Sequence, residues 1–203
     1  MRRPTALPFV LLAASLFTGC TSQAQNAAPP NGINAPPSIT YTDVFTPTRD
    51  GEDFGNYRIP GLAVTHEGTL LAFAEGRRER SDHHHGPIVL NRSTDGGRTW
   101  GHLQIVAESG RDSLNNPTPV VLPDLGRILL FYQLFPSNFH SRAIPREGVA
   151  MAEPGYEGPR VVRTFLVTSD DDGQAWSDPR ELTEQMKRDA PVVANFTGPG
   201  VAI

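Results

Sequence analysis

From about residue 57 onward, short apolar runs alternate with turn residues at intervals too short for helices. Runs at 61–65 and 69–74 flank His66-Glu67-Gly68, which predicts a tight hairpin. Runs at 88–92 and 103–107 flank the segment from Ser93 to Trp100 and predict a second hairpin, so the four strands make one antiparallel meander. The pattern recurs at 118–122, 128–133 and 162–168, with a return strand expected after the segment from Ser169 to Trp176. Residues 135–160, rich in proline, glycine and glutamate, read as an insertion; without them the two Trp-ending hairpins stand about 50 residues apart, an ordinary repeat period. Residues 181–188 predict a short helical turn, and a third meander is expected to start at Pro191.

The N-terminus follows different rules. Arg2 and Arg3 precede an apolar stretch at 6–18 that ends at Gly19-Cys20, the basic, apolar, small order of a secretory signal. As a helix it would span about 20 Å, short of the ~30 Å hydrocarbon core, so a permanent membrane span is not expected. Leu16-Phe17-Thr18-Gly19-Cys20 resembles a bacterial lipobox with Phe17 in the usual leucine position. That resemblance implies cleavage before Cys20, a diacylglyceryl thioether on its sulfur, and an exported lipoprotein of the outer membrane or cell surface. Residues 21–38 lack periodicity and read as a Pro/Ala/Asn-rich tether. The organisation expected is therefore a signal at 1–20, a tether at 21–38 and a folded body at 39–203.

Composition agrees with an all-β body, since 19 glycines and 19 prolines in 203 residues suit many turns and exclude a helical bundle. The net charge of −4, with no basic stripe, gives a nucleic-acid partner no electrostatic footing. Cys20 is the single cysteine, so neither an intrachain disulfide nor a cysteine-ligated zinc site can form. His83, His84 and His85 alternate in direction along an extended chain, which argues against a shared metal ion.

Ser93-x-Asp95-x-Gly97-x-Thr99-Trp100 matches the Asp box in full, and Ser169-x-Asp171-x-Gly173-x-Ala175-Trp176 matches it with alanine in place of threonine. Such a box is a self-contained turn: the aspartate accepts bonds from turn amides, the glycine supplies positive φ and the tryptophan packs between strands. Its role is structural. More specific is Tyr57-Arg58-Ile59-Pro60, followed by Leu71 to Arg77, Asp82, Ile88-Val89-Leu90 and the first box. In this order the sequence resembles the exo-acting, retaining sialidases from about Tyr41 onward, with Thr197-Gly198-Pro199-Gly200 resembling the start of that family's third blade.

The resemblance implies a six-bladed β-propeller of four-stranded antiparallel blades, of which this chain would hold two to three. It implies that Arg58 grips the carboxylate of a terminal sialic acid, a group that a planar guanidinium fork meets bidentately. Arg77 is implied as a further pocket arginine, and Asp82 as the general acid/base that protonates the departing oxygen and later deprotonates water. No cofactor is implied, and the partners implied are sialylated glycans and, through Cys20, a membrane. The family's tyrosine nucleophile, its glutamate and two further arginines are not matched by Tyr41, Tyr57, Tyr132 or Tyr156 or their surroundings. Six blades need ~270 residues. The expectation is an N-terminal, inactive portion of a longer enzyme. Two alternatives stay open: an exported Asp-box propeller that binds glycans or proteins without hydrolysis, and a related propeller acting on another acidic sugar.

Overall fold

Leu70–Arg77 and Ile88–Ser93 are buried at nearly every position rather than every second one, as strands covered on both faces are. In the computed structural model they are β2 and β3, the centre of an antiparallel sheet with β1 (Asn56–Val64) at one edge and β4 (Gln104–Ala107) at the other. Residues 39–47, 54–80, 85–140, 150–188, 192–195, 197–198 and 200 are described. Cys20, the signal, the tether, Asp82, His83, His84 and Pro191 lie outside the described residues. The chain divides into two units, Met1–Thr40 and Tyr41–Ile203; of the first, only Ile39 and Thr40 are described, both exposed.

A second four-stranded antiparallel sheet repeats the first. Its order from the inner edge is β5 (Ser113–Leu122), β6 (Arg127–Phe135), β9 (Arg163–Ser169) and β10 (Arg180–Glu181). The insertion between β6 and β9 contains a short parallel pair, β7 (Phe139–His140) and β8 (Ala150–Met151). The helical turn contracts to α1 (Thr183–Met186) because β10 takes the residues just before it. Among the described residues after 191, none lies in a strand.

The two sheets stack as neighbouring blades. Leu71, Phe73, Ile88 and Leu90 from the first meet Leu114, Ile128, Leu130 and Val167 from the second in one core. The innermost strands crowd together at Gly61, where an added Cβ would come within 2.8 Å of the Pro117 carbonyl oxygen and 3.1 Å of that of Gly200. Only hydrogen fits at that position.

Both inner strands start five residues earlier than the apolar pattern suggests, because each carries a β-bulge that keeps it paired. In β1 the register slips between Arg58 and Gly61, and in β5 between Asn115 and Thr118. The bulges share a signature: Ile59 (φ +52°) precedes Pro60, and Asn116 (φ +56°) precedes Pro117. A third residue of this kind, Gly198 (φ +80°), precedes Pro199. Positive φ is rare for a β-branched residue such as Ile59, so the device marks one repeated structural position.

The Asp boxes cross from blade to blade. Trp176, from the second box, meets Phe73 of the first blade edge-on with centroids 5.7 Å apart. Gly173, at φ +79°, sits close against the first blade, since an added Cβ would lie 3.2 Å from Leu71 Cδ2. Trp100 holds the matching place in the first box. It lines an open apolar groove with Val44, Leu62, Val64 and Leu70, where Leu62 and Val64 are more than half exposed.

Candidate anion-binding site

A bulge bends its strand and re-aims the flanking side chains, and Arg58 immediately precedes the one in β1. It stands directly opposite Glu75 of β2. Side chains two apart on a strand share a face, so Arg77 joins them there. Arg58 is exposed and makes no ion pair with any described residue, leaving its guanidinium open to a ligand. Arg77 and Glu75 are both buried, and Arg77 Nη2 donates to Glu75 Oε2 in an ion pair. The buried pair thus lies beside an open guanidinium on one sheet face. An open guanidinium of this kind can accept a carboxylate.

Glu75 also reaches the second blade, its Oε1 accepting the N–H of the bulge residue Asn116 at 2.8 Å. The links continue from there. Asn116 Nδ2 donates to Gln133 Oε1 at 3.0 Å, and Gln133 Nε2 donates to Thr197 Oγ1 at 2.9 Å. Thr118 Oγ1 closes the set against Thr197 and the Gly198 carbonyl. A buried polar network of this kind rigidifies the backbone it spans because each broken link would strand a desolvated group.

Of the residues singled out from sequence, Arg58 and Arg77 thus come together on one sheet face. Asp82 lies outside the described residues. His85, next to that segment, has Nδ1 3.2 Å from the Asp112 carbonyl and Nε2 3.1 Å from Glu108 Oε1.

The Asp boxes are closed turns. Ser93 Oγ donates to Asp95 Oδ1 at 2.8 Å while accepting the Gly97 N–H at 2.9 Å. The Thr99 N–H and hydroxyl donate to the same carboxylate at 2.9 and 2.7 Å. Those bonds, led by the Thr99 amide, hold the Asp95 carboxyl far below the usual carboxylate range. Ser169, Asp171 and Gly173 repeat the pattern, and Ala175 offers only its N–H, at 2.9 Å. The Asp171 carboxyl is held low chiefly by that amide.

One residue inside the second box does more. Asp172, at φ +62°, accepts the hydroxyls of Thr65 and Thr69 from the hairpin between β1 and β2, and Arg92 Nη2 from β3 at 2.8 Å. Burial pushes its carboxyl up, but the two hydroxyls and the guanidinium outweigh that and leave it below the ordinary range. The equivalent residue of the first box is Gly96, so this clasp belongs to the junction between the two blades.

Comparison with known proteins agrees with this architecture. Residues 68–200 match the family model described as a BNR repeat-like domain, and the sialidase of Micromonospora viridifaciens is 34% identical over 212 residues, covering 99% of this chain. The chain belongs to the sialidase family. It spans 31% of the Micromonospora sialidase's length. Among solved structures, the Hadza microbial sialidase Hz136 is similar at TM-score 0.61 and 29% identity, over 71% of this chain and 29% of that one. The NanB sialidase of Streptococcus pneumoniae shares the fold at TM-score 0.66 and 13% identity, over 83% of this chain and 42% of that one. The two stacked sheets are accordingly blades of a sialidase propeller.

Reading the sequence alone gave no site role to Glu75, Asn116, Gln133 or Asp172, and Thr197 entered only as part of the Thr197-Gly198-Pro199-Gly200 segment. Glu75 carried a usable signal, an acid two residues before Arg77 in an otherwise apolar strand. The others did not, because their partners lie 17 to 107 positions away.

Proposed function

We propose that residues 39–203 form the N-terminal blades of an exo-sialidase propeller and carry the carboxylate-gripping and acid/base side of its active site. The observation that carries this reading is the open guanidinium of Arg58 facing Glu75, beside the buried Arg77–Glu75 pair, in a chain of this family. The substrate is a terminal sialic acid on a glycoconjugate. Arg58 binds its carboxylate with two parallel N–H bonds, and Arg77 lies on the same face of the sheet. Asp82 delivers its proton to the glycosidic oxygen as the bond to the sugar breaks, and the aglycone leaves as an alcohol. A tyrosine from outside these residues holds the sugar covalently with its anomeric configuration inverted. Asp82 then takes a proton from water as that water displaces the tyrosine, and the second inversion gives net retention.

The experiment is release of a fluorogenic aryl group from an α-sialoside by the full-length protein, with Arg58→Ala alongside. The variant is expected to lose about 10- to 100-fold in kcat/KM, the worth of charge-assisted bonds to one carboxylate. A full-length protein that binds sialylated glycans but releases nothing would replace this reading with that of a non-hydrolysing binding propeller.

The same reading places the enzyme outside the cytoplasm. Arg2-Arg3, the apolar stretch at 6–18 and Gly19-Cys20 support export, cleavage and lipid attachment at Cys20, with residues 21–38 holding the propeller away from the membrane.

A further inference from the structure

The two blades answer the same structural need with different chemistry. In each, the residue before the inner-strand bulge faces a polar residue on the next strand: Arg58 faces Glu75, and Asn115 faces Gln133. Each second-strand residue also reaches the next segment along the chain that carries a positive-φ residue before proline, Glu75 to the Asn116 N–H and Gln133 to Thr197 Oγ1 beside Gly198. Linking segments this way requires only a hydrogen-bonding side chain, which the neutral Gln133 supplies. The negative charge appears only in the first blade, where the arginines are. A buried carboxylate is costly to keep unless a cation faces it, and Arg77 does so from two positions away.

We propose that Glu75 is the positioning residue of the arginine site: its Oε2 fixes the Arg77 guanidinium while its Oε1 pins that arrangement to the bulge of the neighbouring blade. The site's geometry is then set by the docking of two blades and not by the hairpin alone. Calling the site an anion site rests on the function proposed above; the clamping of Arg77 does not.

Phenylglyoxal, which modifies accessible guanidiniums, reads each arginine separately by peptide mass spectrometry on the intact protein. In the wild type, Arg58 should react at least about tenfold faster than Arg77, because burial and bonding restrict the latter to rare openings. Glu75→Gln keeps an acceptor for the Asn116 N–H and removes the charge. It should bring the Arg77 rate up toward that of Arg58 and leave Arg92, in the Asp172 clasp, unchanged. An Arg77 rate equal to wild type overturns the proposal. So does a parallel rise at Arg92, which would make Glu75 a general support of the sheet. If Glu75→Gln does not fold, Glu75→Asp, which keeps the charge and shortens the reach, is judged by the same two rates. N-acetylneuraminic acid should protect Arg58 in the wild type. Absence of that protection counts against the functional reading and leaves the Arg77 comparison to decide the role of Glu75.

Discussion

Replacing Asp172 removes the clasp by which the second Asp box holds the first blade. The carboxylate accepts from Thr65, Thr69 and Arg92, and the Asp172 and Arg92 side chains are 18% and 25% exposed. Hydrogen bonds to a charged group contribute about 1.5–3 kcal/mol net, and partial solvent screening holds the Arg92 part near the ~1 kcal/mol of surface pairs. Asp172→Asn keeps the shape and tolerates φ +62°, so its cost isolates the charge and is expected at about 1.5–3 kcal/mol. Asp172→Ala adds about 1 kcal/mol for alanine in the left-handed region. Urea unfolding followed by tryptophan fluorescence suits the question, since Trp176 rests on Phe73 across the same junction. In melting temperature the asparagine variant should lose about 3–12 °C. Thr69→Val in both backgrounds should show coupling of at least about 0.5 kcal/mol. Because the folded carboxyl lies below its unfolded value near 3.9, the stabilisation is complete above that pH. It is lost as pH falls through the folded value, and the gap between wild type and Asp172→Asn should close over that window. An asparagine variant within about 0.3 kcal/mol of wild type at neutral pH, or a gap independent of acid, would refute the clasp.

Three further outcomes are expected. Cys20→Ala, expressed in a bacterial host, should abolish lipid labelling and release the protein from the membrane fraction; equal retention would argue against the anchor. Asp82→Ala in the full-length protein should lose more rate on sialosides with poor leaving groups than on an activated aryl sialoside, because a good leaving group needs little protonation; equal losses would remove Asp82 from the acid role. Gly61→Ala places a Cβ 2.8 Å from the Pro117 carbonyl oxygen and should cost about 1–3 kcal/mol in urea unfolding, whereas alanine at Gly126, where an added Cβ meets nothing within 4 Å but φ is +62°, should cost only about 1 kcal/mol from its backbone conformation.

Local pattern was enough to read the all-β class, the hairpins and the Asp boxes. A strand reveals its buried faces through apolar spacing, and a box is a turn whose partners lie within a few residues, as the bonds among Ser93, Asp95, Gly97 and Thr99 show. The motif around Arg58 and the strand ending at Arg77 were equally visible. Their shared sheet face follows from the β1–β2 register, which a bulge sets. The early starts of β1 and β5 were hidden because Ile59-Pro60 and Asn116-Pro117 look like strand breakers until the bulge absorbs the extra residue. What tertiary structure alone decided is the set of long-range partners: Glu75 with Asn116, Gln133 with Thr197, and Asp172 with Thr65, Thr69 and Arg92. The physical reason is that a polar side chain in a strand needs a partner once it is buried, while the sequence around it records only that it is polar. Which blade supplies that partner is settled when the sheets dock and water leaves the space between them.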